Sequence, residues 1–544
     1  MPLRRRQAAP PPADQPKAPP SLKQRLAQRQ KAQQLRKEFI VFTTVAVLFA
    51  VLIGYAIGLF VGVKLGLGAT IGVLYTALSF KFPRQALWAF LIYMPFSGSV
   101  TYLIGNSPLL QLAKDGFYIP ALFGVVQYCR REKLPILIPR KFIAPVTIFV
   151  ALCLATLLFV NGGQQLSPEA GESPLLMGIL GLKVLVGYIP LIVCAYYLLR
   201  DRRDLLFLMR LMVVVVLACC GCAFVQYLLL QIGYCPGTQY FQGEALYKAS
   251  LEARCLFGGA LLYTPQLELI RLPGTFVAPW QWGWFLISAA FLTFSTAFND
   301  PKAGWRTAGL MAIASIFVMA VLSGQRIALV LVPLIFGALL VMTGQVADAK
   351  RFVPPAFVLG IFFGYTALSN PEIVASRLES LQDRWAASPP TQFVVNQFTW
   401  VIEQQAGILG NGLGRATNSA RTLGDTQLIE AYYPKLLYEI GPMGMLAFFV
   451  MATALVILCF QAYRRVRDRA LRRYGASLWA LVVFVSYNTY FYPLDVDPVA
   501  VYYWFFAGVI LRLPDLERQE RFTQAETQQP QRHKRFRRKR AGFS

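Results

Sequence analysis

Long apolar segments recur along the whole chain, and this feature restricts the fold more than any other. A helix needs roughly 17–25 mostly apolar residues to cross a bilayer, and such segments are spread through nearly all of the 544 residues. Composition agrees, because 56% of the residues are hydrophobic and only 15% are charged. We therefore predict an all-α fold class, a polytopic integral membrane protein with about fourteen transmembrane helices. The predicted spans are residues 40–61, 66–80, 85–104, 109–129, 142–160, 178–199, 205–231, 276–298, 305–322, 326–343, 353–368, 436–461, 475–491 and 497–512.

Basic residues set the predicted orientation of these spans. The formal net charge is +26, and it is concentrated at the two ends and in alternate short loops. With the N-terminus inside, the cytoplasmic segments hold 40 of the 53 Lys and Arg residues, in agreement with the positive-inside rule. We predict a bacterial inner membrane protein with both termini in the cytoplasm. Its parts are a basic disordered tail at 1–38, a transmembrane domain at 39–512 and a second basic disordered tail at 513–544.

The two basic tails are expected to attract anionic membrane lipids. No aromatic or groove-reading residues accompany their charge, so nucleic acid is not a predicted partner. The first apolar segment follows a long basic region without a small-residue cleavage site. We interpret it as a permanent anchor rather than a cleaved signal.

Two outward loops are long, 232–275 and 369–435, and the second joins predicted helices 11 and 12. Cys235 and Cys255 in the first loop either form a disulfide or remain free thiols, and both alternatives stay open. The only histidine is His533, in the C-terminal tail. Histidine-based catalysis and a histidine metal site outside the membrane are therefore excluded, so a general base has to be a carboxylate, a Tyr or a Lys.

The outward loops carry several cations, although positive charge is usually kept off that side. A guanidinium offers a planar fork of donors that suits phosphate and diphosphate. The cations bind either an anionic substrate or nearby carboxylates on a solvated surface. The candidates for anion binding are Arg271, Arg326, Arg377, Arg384, Arg415, Arg421 and Lys435.

Three further features are candidates for chemistry. Glu430 stands at the predicted water–membrane boundary beside Tyr433, where a carboxylate can act as a base, whereas Glu439 lies deeper and is expected to make a structural bond. The glycine-rich segment 407–415 forms either an anion-binding nest of backbone amides or an ordinary loop. Trp280 belongs to an interfacial aromatic belt or stacks on sugar rings.

Five motifs follow one another in a fixed order. They are Arg271-x-x-Gly274-Thr275-Phe276, Ser323-Gly324-Gln325-Arg326, Arg384-Trp385, Leu409-Gly410-Asn411-Gly412-Leu413-Gly414 and Leu437-x-Glu439-x-Gly441-x-x-Gly444. This order resembles the O-antigen ligase/O-antigen polymerase family. Through segments such as 82–96, the chain is most similar within that family to the cyanobacterial hormogonium polysaccharide biosynthesis membrane proteins.

The resemblance implies a glycosyltransferase C-like architecture and a metal-independent membrane enzyme without a cofactor. Such an enzyme transfers a glycan from a polyprenyl diphosphate to an acceptor hydroxyl at the outer face of the inner membrane. Arg326 and Arg384 match family arginines, and these two residues with Glu430 are the predicted catalytic residues. The predicted substrate-binding residues are Arg271, Arg377, Arg415, Arg421, Tyr433, Lys435 and Trp280.

One departure from the family pattern bears on the reaction. Glu430 occupies the position of the histidine that ligases carry, and Tyr433 occupies the position of the following aromatic residue. A polymerase or another exopolysaccharide transferase therefore fits better than a ligase. Other polysaccharide assembly proteins are further expected partners.

Two other functions remain as alternatives. One is a flippase or exporter of lipid-linked oligosaccharide, for which Lys114, Lys183 and Arg210 are the few cations inside predicted spans. The other is a non-catalytic subunit of a polysaccharide assembly complex.

Overall fold

The protein is almost entirely helical, with 77% of its residues in helices and very little sheet. The computed structural model describes residues 22–105, 108–136, 139–247, 250–265, 269–354, scattered positions between 356 and 375, 389–491 and 493–540. Within those residues, eight helices are long and apolar enough to cross a membrane, or nine if one bent pair counts as a single span. The predicted class, an all-α multi-pass membrane protein, is confirmed.

The helices and strands follow one another along the chain in this order. Helices α1 to α7 are Leu22–Val61, Val63–Lys81, Pro83–Ile104, Pro108–Arg131, Arg140–Leu166, Pro174–Leu198 and Arg202–Gln231. A small antiparallel hairpin then pairs β1, Leu262–Thr264, with β2, Leu269–Arg271. Helices α8 to α14 are Pro279–Asn299, Ala303–Leu322, Arg326–Met342, Pro390–Gln404, Tyr432–Arg465, Arg469–Tyr487 and Val499–Arg540. Short 3-10 turns occupy Gly243–Tyr247, Val346–Phe352, Asn418–Ala420 and Pro493–Asp495.

Most of the predicted spans coincide with these helices. The exception is the predicted span 353–368, which lies largely outside the described residues. Helices α4, α8 and α13 coincide with predicted spans but are not among the eight apolar candidates. For α8 the physical reason is visible, because it is buried from Trp282 to Phe298 and contacts protein rather than lipid. A helix shielded in this way tolerates Trp, Ser and Thr.

Residues up to Leu78 form a compact unit of their own, built on the hairpin of α1 and α2. Small residues let these two helices approach closely. A Cβ atom on Gly54 would lie 1.7 Å from Oγ1 of Thr70, and one on Gly66 would lie 2.5 Å from the Gly54 carbonyl oxygen. A larger side chain at either glycine would therefore push the two helices apart.

The second unit, from Ser79 onward, has α8 at its centre. Helix α8 packs against α7, α9, α10 and α13, and α12 packs against α5, α13 and α14. Two helices in this unit are irregular. Helix α5 contains a π-helical turn at Thr156–Asn161, and α12 is interrupted at Gly441, whose φ is 70° and ψ is −179°. Such interruptions leave backbone groups available to other segments.

Described helices extend into both of the predicted tails. Helix α1 begins at Leu22, inside the predicted tail 1–38, and α14 continues as helix through Arg540, inside the predicted tail 513–544. The physical reason lies in their composition, because Leu, Ala, Gln, Arg and Lys dominate these segments and are strong helix formers. Residues 1–21 and 541–544 lie outside the described part.

Candidate functional site

The loop 232–275, here called the disulfide loop, is folded against helices α3 and α7. Cys235 and Cys255 are joined by a disulfide, so the bonded alternative is the one observed. Gln226 at the end of α7 is fully buried, and its side-chain amide donates to the Gly274 carbonyl oxygen at 2.9 Å. Arg254 donates to the Tyr102 carbonyl oxygen at 2.8 Å. These contacts hold the disulfide loop, which includes β2, against α3 and α7.

Arg271 and Arg326 are brought together where β2 meets the turn before α10. The Leu272 amide donates to the Ser323 carbonyl oxygen at 3.2 Å, which ties the end of β2 to that turn. Gly324 follows with a φ of 68°, in the left-handed region that favours glycine. The chain can thus turn sharply and begin α10 at Arg326.

Glu430 reaches the same place from the segment before α12. Its backbone amide donates to Oε1 of Gln397 on α11 at 3.1 Å. Burial lowers the pKa of the Arg271 guanidinium, the positive charge of Arg326 lowers it further, and the carboxylate of Glu430 raises it. Arg326 and Glu430 therefore both lie within electrostatic reach of Arg271. We call Arg271, Arg326 and Glu430 the arginine–glutamate site.

Several buried donors beside the arginine–glutamate site have no hydrogen-bond partner in the described part of the chain. They are Arg271 Nε, Trp282 Nε1, Ser323 Oγ and Gln325 Nε2. A buried polar group without a partner costs about 1–3 kcal/mol, so a group of them marks a place where a ligand or water completes the bonding.

These donors belong to one packed layer. Gly274 packs against the indole of Trp282. A Cβ atom added to Gly274 would lie only 2.6 Å from the ring. Gly283, next along α8, lies beside the Gln325 side chain, with a Cβ position 3.3 Å from its Cβ and Cγ atoms. The Trp282 and Gln325 side chains are therefore closely packed against Gly274 and Gly283.

Arg415 pairs with Glu172 rather than with the arginine–glutamate site. It forms a bidentate ion pair with Glu172, with both N–O distances at 2.8 Å. The Arg415 guanidinium holds the pKa of the Glu172 carboxyl below its usual value. Arg415 thereby links the glycine-rich loop to the connection between α5 and α6, and its predicted role in substrate binding stays a prediction.

Lys435 and Tyr433 are both held inside the bundle by other groups. Lys435 is fully buried and pairs with Asp495. The Tyr433 hydroxyl donates to the Ser486 carbonyl oxygen at 2.7 Å. These contacts anchor the beginning of α12, directly after Glu430, and so position the candidate base.

The remaining predicted residues lie at the surface or outside the described part. Arg421 is exposed and donates to Oδ1 of Asn418 at 2.8 Å. Trp280 is 40% exposed at the start of α8. Arg377 and Arg384 fall within residues 376–388, outside the described residues.

The glycine-rich segment 407–415, here called the glycine loop, is docked into the break of α12. A Cβ on Gly441 would lie 2.0 Å from the Ile408 carbonyl oxygen. The Gly412 amide donates to the Glu439 carbonyl oxygen at 3.2 Å, and the Leu413 amide donates to Oδ1 of Asn161 at 2.9 Å. These amides already have protein acceptors, so the ordinary-loop alternative fits the glycine loop better than the anion nest.

Glu439 makes the structural bonds expected of it. One carboxylate oxygen accepts from the Ala416 amide at 2.8 Å and from the Thr417 hydroxyl at 2.9 Å. The fully buried Asn161 in the π-turn of α5 also donates to the Pro174 and Leu413 carbonyl oxygens, both at 3.0 Å. The glycine loop is thus fastened to α5 and α12 on two sides.

Lys114, Lys183 and Arg210, the candidate cations of a transport path, are all paired. Lys114 pairs with Asp497, Lys183 pairs with Asp115 at 2.9 Å, and Arg210 forms a bidentate pair with Asp300. Pairs of this kind lower the energetic cost of charge within a helix bundle.

Among the described residues, no group of three His, Cys, Asp or Glu side chains is arranged to hold a metal ion. No protein-family model matches the chain, and no curated protein is significantly similar to it.

Some residues of the site were not singled out from sequence. Ser323 and Gln325 belong to the Ser323-Gly324-Gln325-Arg326 motif, and that motif was a usable signal for them. Trp282 lies two residues after Trp280, and the same two alternatives, an aromatic belt or stacking on sugar rings, apply to both. Gln397 carries no sequence signal, because its role depends on α11 packing beside α12.

Proposed function

We propose that this protein is a metal-independent glycan transferase of the membrane. It uses a polyprenyl-diphosphate-linked oligosaccharide at the outer face of a bacterial inner membrane and extends an exopolysaccharide in the manner of a polymerase. The observation that carries the proposal is the meeting of two guanidinium groups and one carboxylate beside orphan donors. That set matches a substrate with an anionic leaving group and a hydroxyl nucleophile.

The diphosphate is bound by Arg271 and Arg326. Arg326 stands at the first turn of α10, where free amides and the helix dipole also favour an anion. Ser323 Oγ and Gln325 Nε2 are the nearby orphan donors that phosphate oxygens can satisfy. Positive charge placed here stabilises the leaving diphosphate in the transition state, as a metal ion does in other enzymes.

Glu430 acts as the general base. Its carboxylate takes the proton of the acceptor hydroxyl while the hydroxyl oxygen attacks the anomeric carbon of the donor sugar. The bond between that carbon and the diphosphate oxygen breaks, and the polyprenyl diphosphate leaves with both bonding electrons. Attack opposite the leaving group inverts the configuration of the anomeric carbon.

An apolar surface beside the site suits the polyprenyl chain. Helix α11 carries exposed Val395 and Ile402, and Leu428 is exposed two residues before Glu430. Exposed apolar groups next to a cationic site fit a substrate that has an anionic head and a long apolar tail.

The proposal includes the finer topology. We propose about fourteen spans, cytoplasmic termini and outward disulfide and glycine loops. The disulfide between Cys235 and Cys255 supports an oxidising exterior for the first of these. Among the described residues, Lys114, Lys183 and Arg210 each pair with a carboxylate, so these three charges are not available to a flippase path.

The test is elongation of a lipid-linked oligosaccharide by purified protein in detergent, where transport is impossible. Glu430→Gln should reduce the rate by about 10²–10⁴-fold, the usual contribution of a general base. The matched control is Glu403→Gln, which removes an exposed carboxylate on α11. Wild-type protein that does not elongate the substrate would favour a flippase or an assembly subunit, and a fully active Glu430→Gln would remove Glu430 from the mechanism.

A further inference from the structure

A second basic cavity lies at the opposite end of α12 from Glu430. It has a volume of about 500 Å³ and is formed where α12 and α14 meet the start of α5. Six cations line it, against two carboxylates. The cations are Arg140, Lys141, Arg465, Arg467, Arg518 and Arg521.

The two carboxylates are already engaged by protein groups. Asp515 accepts from the Tyr196 hydroxyl at 2.6 Å. Glu517 accepts from the Arg467 and Asp468 amides and pairs with Arg521 at 2.7 Å. In the described part of the chain, neither Arg140, Lys141, Arg465 nor Arg467 has a side-chain ion pair. The cavity therefore offers positive charge to a ligand.

One wall of the cavity is apolar. Leu458 and Ala462 line it from α12, and Leu511 and Pro514 line it from α14. On each helix, a lining cation stands seven residues after a lining leucine. Arg465 follows Leu458 on α12, and Arg518 follows Leu511 on α14. At 1.5 Å per residue this is a rise of roughly 10 Å from apolar wall to cationic rim.

We infer that this cavity binds the head group of an anionic phospholipid. Its cations match a phosphodiester, and its apolar wall lies where the first acyl carbons follow the phosphate. A soluble phosphate would use the charge but gain nothing from the wall. Basic pockets between transmembrane helices are a recognised way to bind anionic lipid head groups. The inference is independent of the proposed glycan transfer.

The experiment compares lipids on the purified full-length protein in detergent, with bound lipid counted by native mass spectrometry. Dioleoylphosphatidylglycerol should be retained, and dioleoylphosphatidylcholine, which has the same chains and no net charge, should be lost at the same concentration. The double variant R465Q/R467Q should bind phosphatidylglycerol on the order of tenfold more weakly, because each cation near a lipid surface contributes to binding.

The matched control is Arg464→Gln. Arg464 neighbours Arg465 but lies over the ring of Phe460 and does not line the cavity, so its loss should leave lipid binding unchanged. If R465Q/R467Q is poorly folded, R140Q/K141Q at the start of α5 tests the same cavity from another helix.

Three results would overturn the inference. One is equal retention of phosphatidylcholine, which would remove the role of charge. Another is an equal loss of binding in Arg464→Gln, which would assign the effect to general surface charge. The third is displacement of the lipid by glycerol 1-phosphate at equal concentration, which would make the cavity a site for a free phosphate.

Discussion

Two regions of this molecule, the glycine loop and the arginine–glutamate site, use their polar groups in opposite ways. In the glycine loop, the Asn411, Gly412 and Leu413 amides and the Arg415 side chain bond to other parts of the protein. At the arginine–glutamate site, the atoms left without partners in the described part are donors, among them Arg271 Nε and Gln325 Nε2. Among the described residues, the first region is bonded within the fold, and the second retains buried donors without a partner.

The chemical type of the buried atoms without a hydrogen-bond partner makes this contrast clearer. Beside the glycine loop, the buried atoms without a hydrogen bond in the described residues are carboxylate oxygens, Glu439 Oε2 and Asp495 Oδ1, and Lys435 lies between their residues. An internal cation thus balances internal anions. At the arginine–glutamate site, the buried atoms without a partner among the described residues are donors, which suit an anionic ligand.

The largest expected effect is on folding, from Gly441→Ala. Gly441 has a φ of 70° and a ψ of −179°, a conformation almost restricted to glycine. The added Cβ would also lie 2.0 Å from the Ile408 carbonyl oxygen. We expect a loss of about 3 kcal/mol or more of stability, measured as the yield of folded protein in detergent.

The control for that substitution is Gly221→Ala in α7, where a Cβ would meet nothing within 4 Å. It should leave the yield unchanged or slightly higher. A normal yield of Gly441→Ala would show that the glycine loop does not need the break in α12.

The next effect is expected from Asn161→Ala. The fully buried Asn161 side chain holds two carbonyl oxygens and one amide of the surrounding segments. Its removal leaves those groups unpaired, for a loss of about 2–3 kcal/mol. The thermal midpoint of unfolding measures this loss. The control is Asn418→Ala, an exposed residue bonded only to the Arg421 side chain among described contacts, and an equally small change in both variants would contradict the role of Asn161.

A smaller effect is expected from acid. The Glu172 carboxyl has a folded-state pKa below its usual 4.5, so its ion pair stabilises the protein above that usual value. The stabilisation should fade as pH falls from about 4.5 through the lowered folded-state pKa, with a total of about 1 kcal/mol.

Glu172→Gln tests the acid effect directly. It should flatten the dependence of the thermal midpoint on pH in that range, whereas Glu169→Gln, which removes a neighbouring exposed carboxylate, should not. An unchanged slope in Glu172→Gln would assign the acid sensitivity to other carboxyl groups.

The fold was more predictable than the pairing of its charges. Hydrophobic length alone predicts α7 or α12, because each must cross the same thickness of lipid. Helix α11 was missed, since its fifteen residues are amphipathic and interrupt a polar loop. The partner of Arg415 could not be predicted either. Glu172 lies more than two hundred residues earlier, while several carboxylates stand closer to Arg415 in sequence.

The candidate site was predictable where a motif and the topology coincide. Arg271, Arg326 and Glu430 were each proposed from charge and motif, and their electrostatic coupling now groups them. Lys435 was proposed on the same grounds, but it is buried against Asp495. Sequence shows that a cation is near the boundary of a span, and only packing decides whether its partner is the protein or a ligand.

The smallest expected effect on stability, and the sharpest test of the comparison, is Arg271→Met. Arg271 has a buried Nε without a partner among the described residues and is repelled by Arg326. An apolar side chain of similar length should therefore leave stability within about 1 kcal/mol of wild type or raise it, while elongation of the lipid-linked oligosaccharide is lost.

Arg254→Met is the contrasting variant in the same disulfide loop. Arg254 donates to the Tyr102 carbonyl oxygen at 2.8 Å, so its replacement should lower the thermal midpoint. Comparing the two variants thus distinguishes an arginine that stabilises the fold from one that is proposed to bind a ligand. If Arg271→Met instead destabilises the protein as much as Arg254→Met does, Arg271 belongs to the scaffold, and the diphosphate must be bound without it.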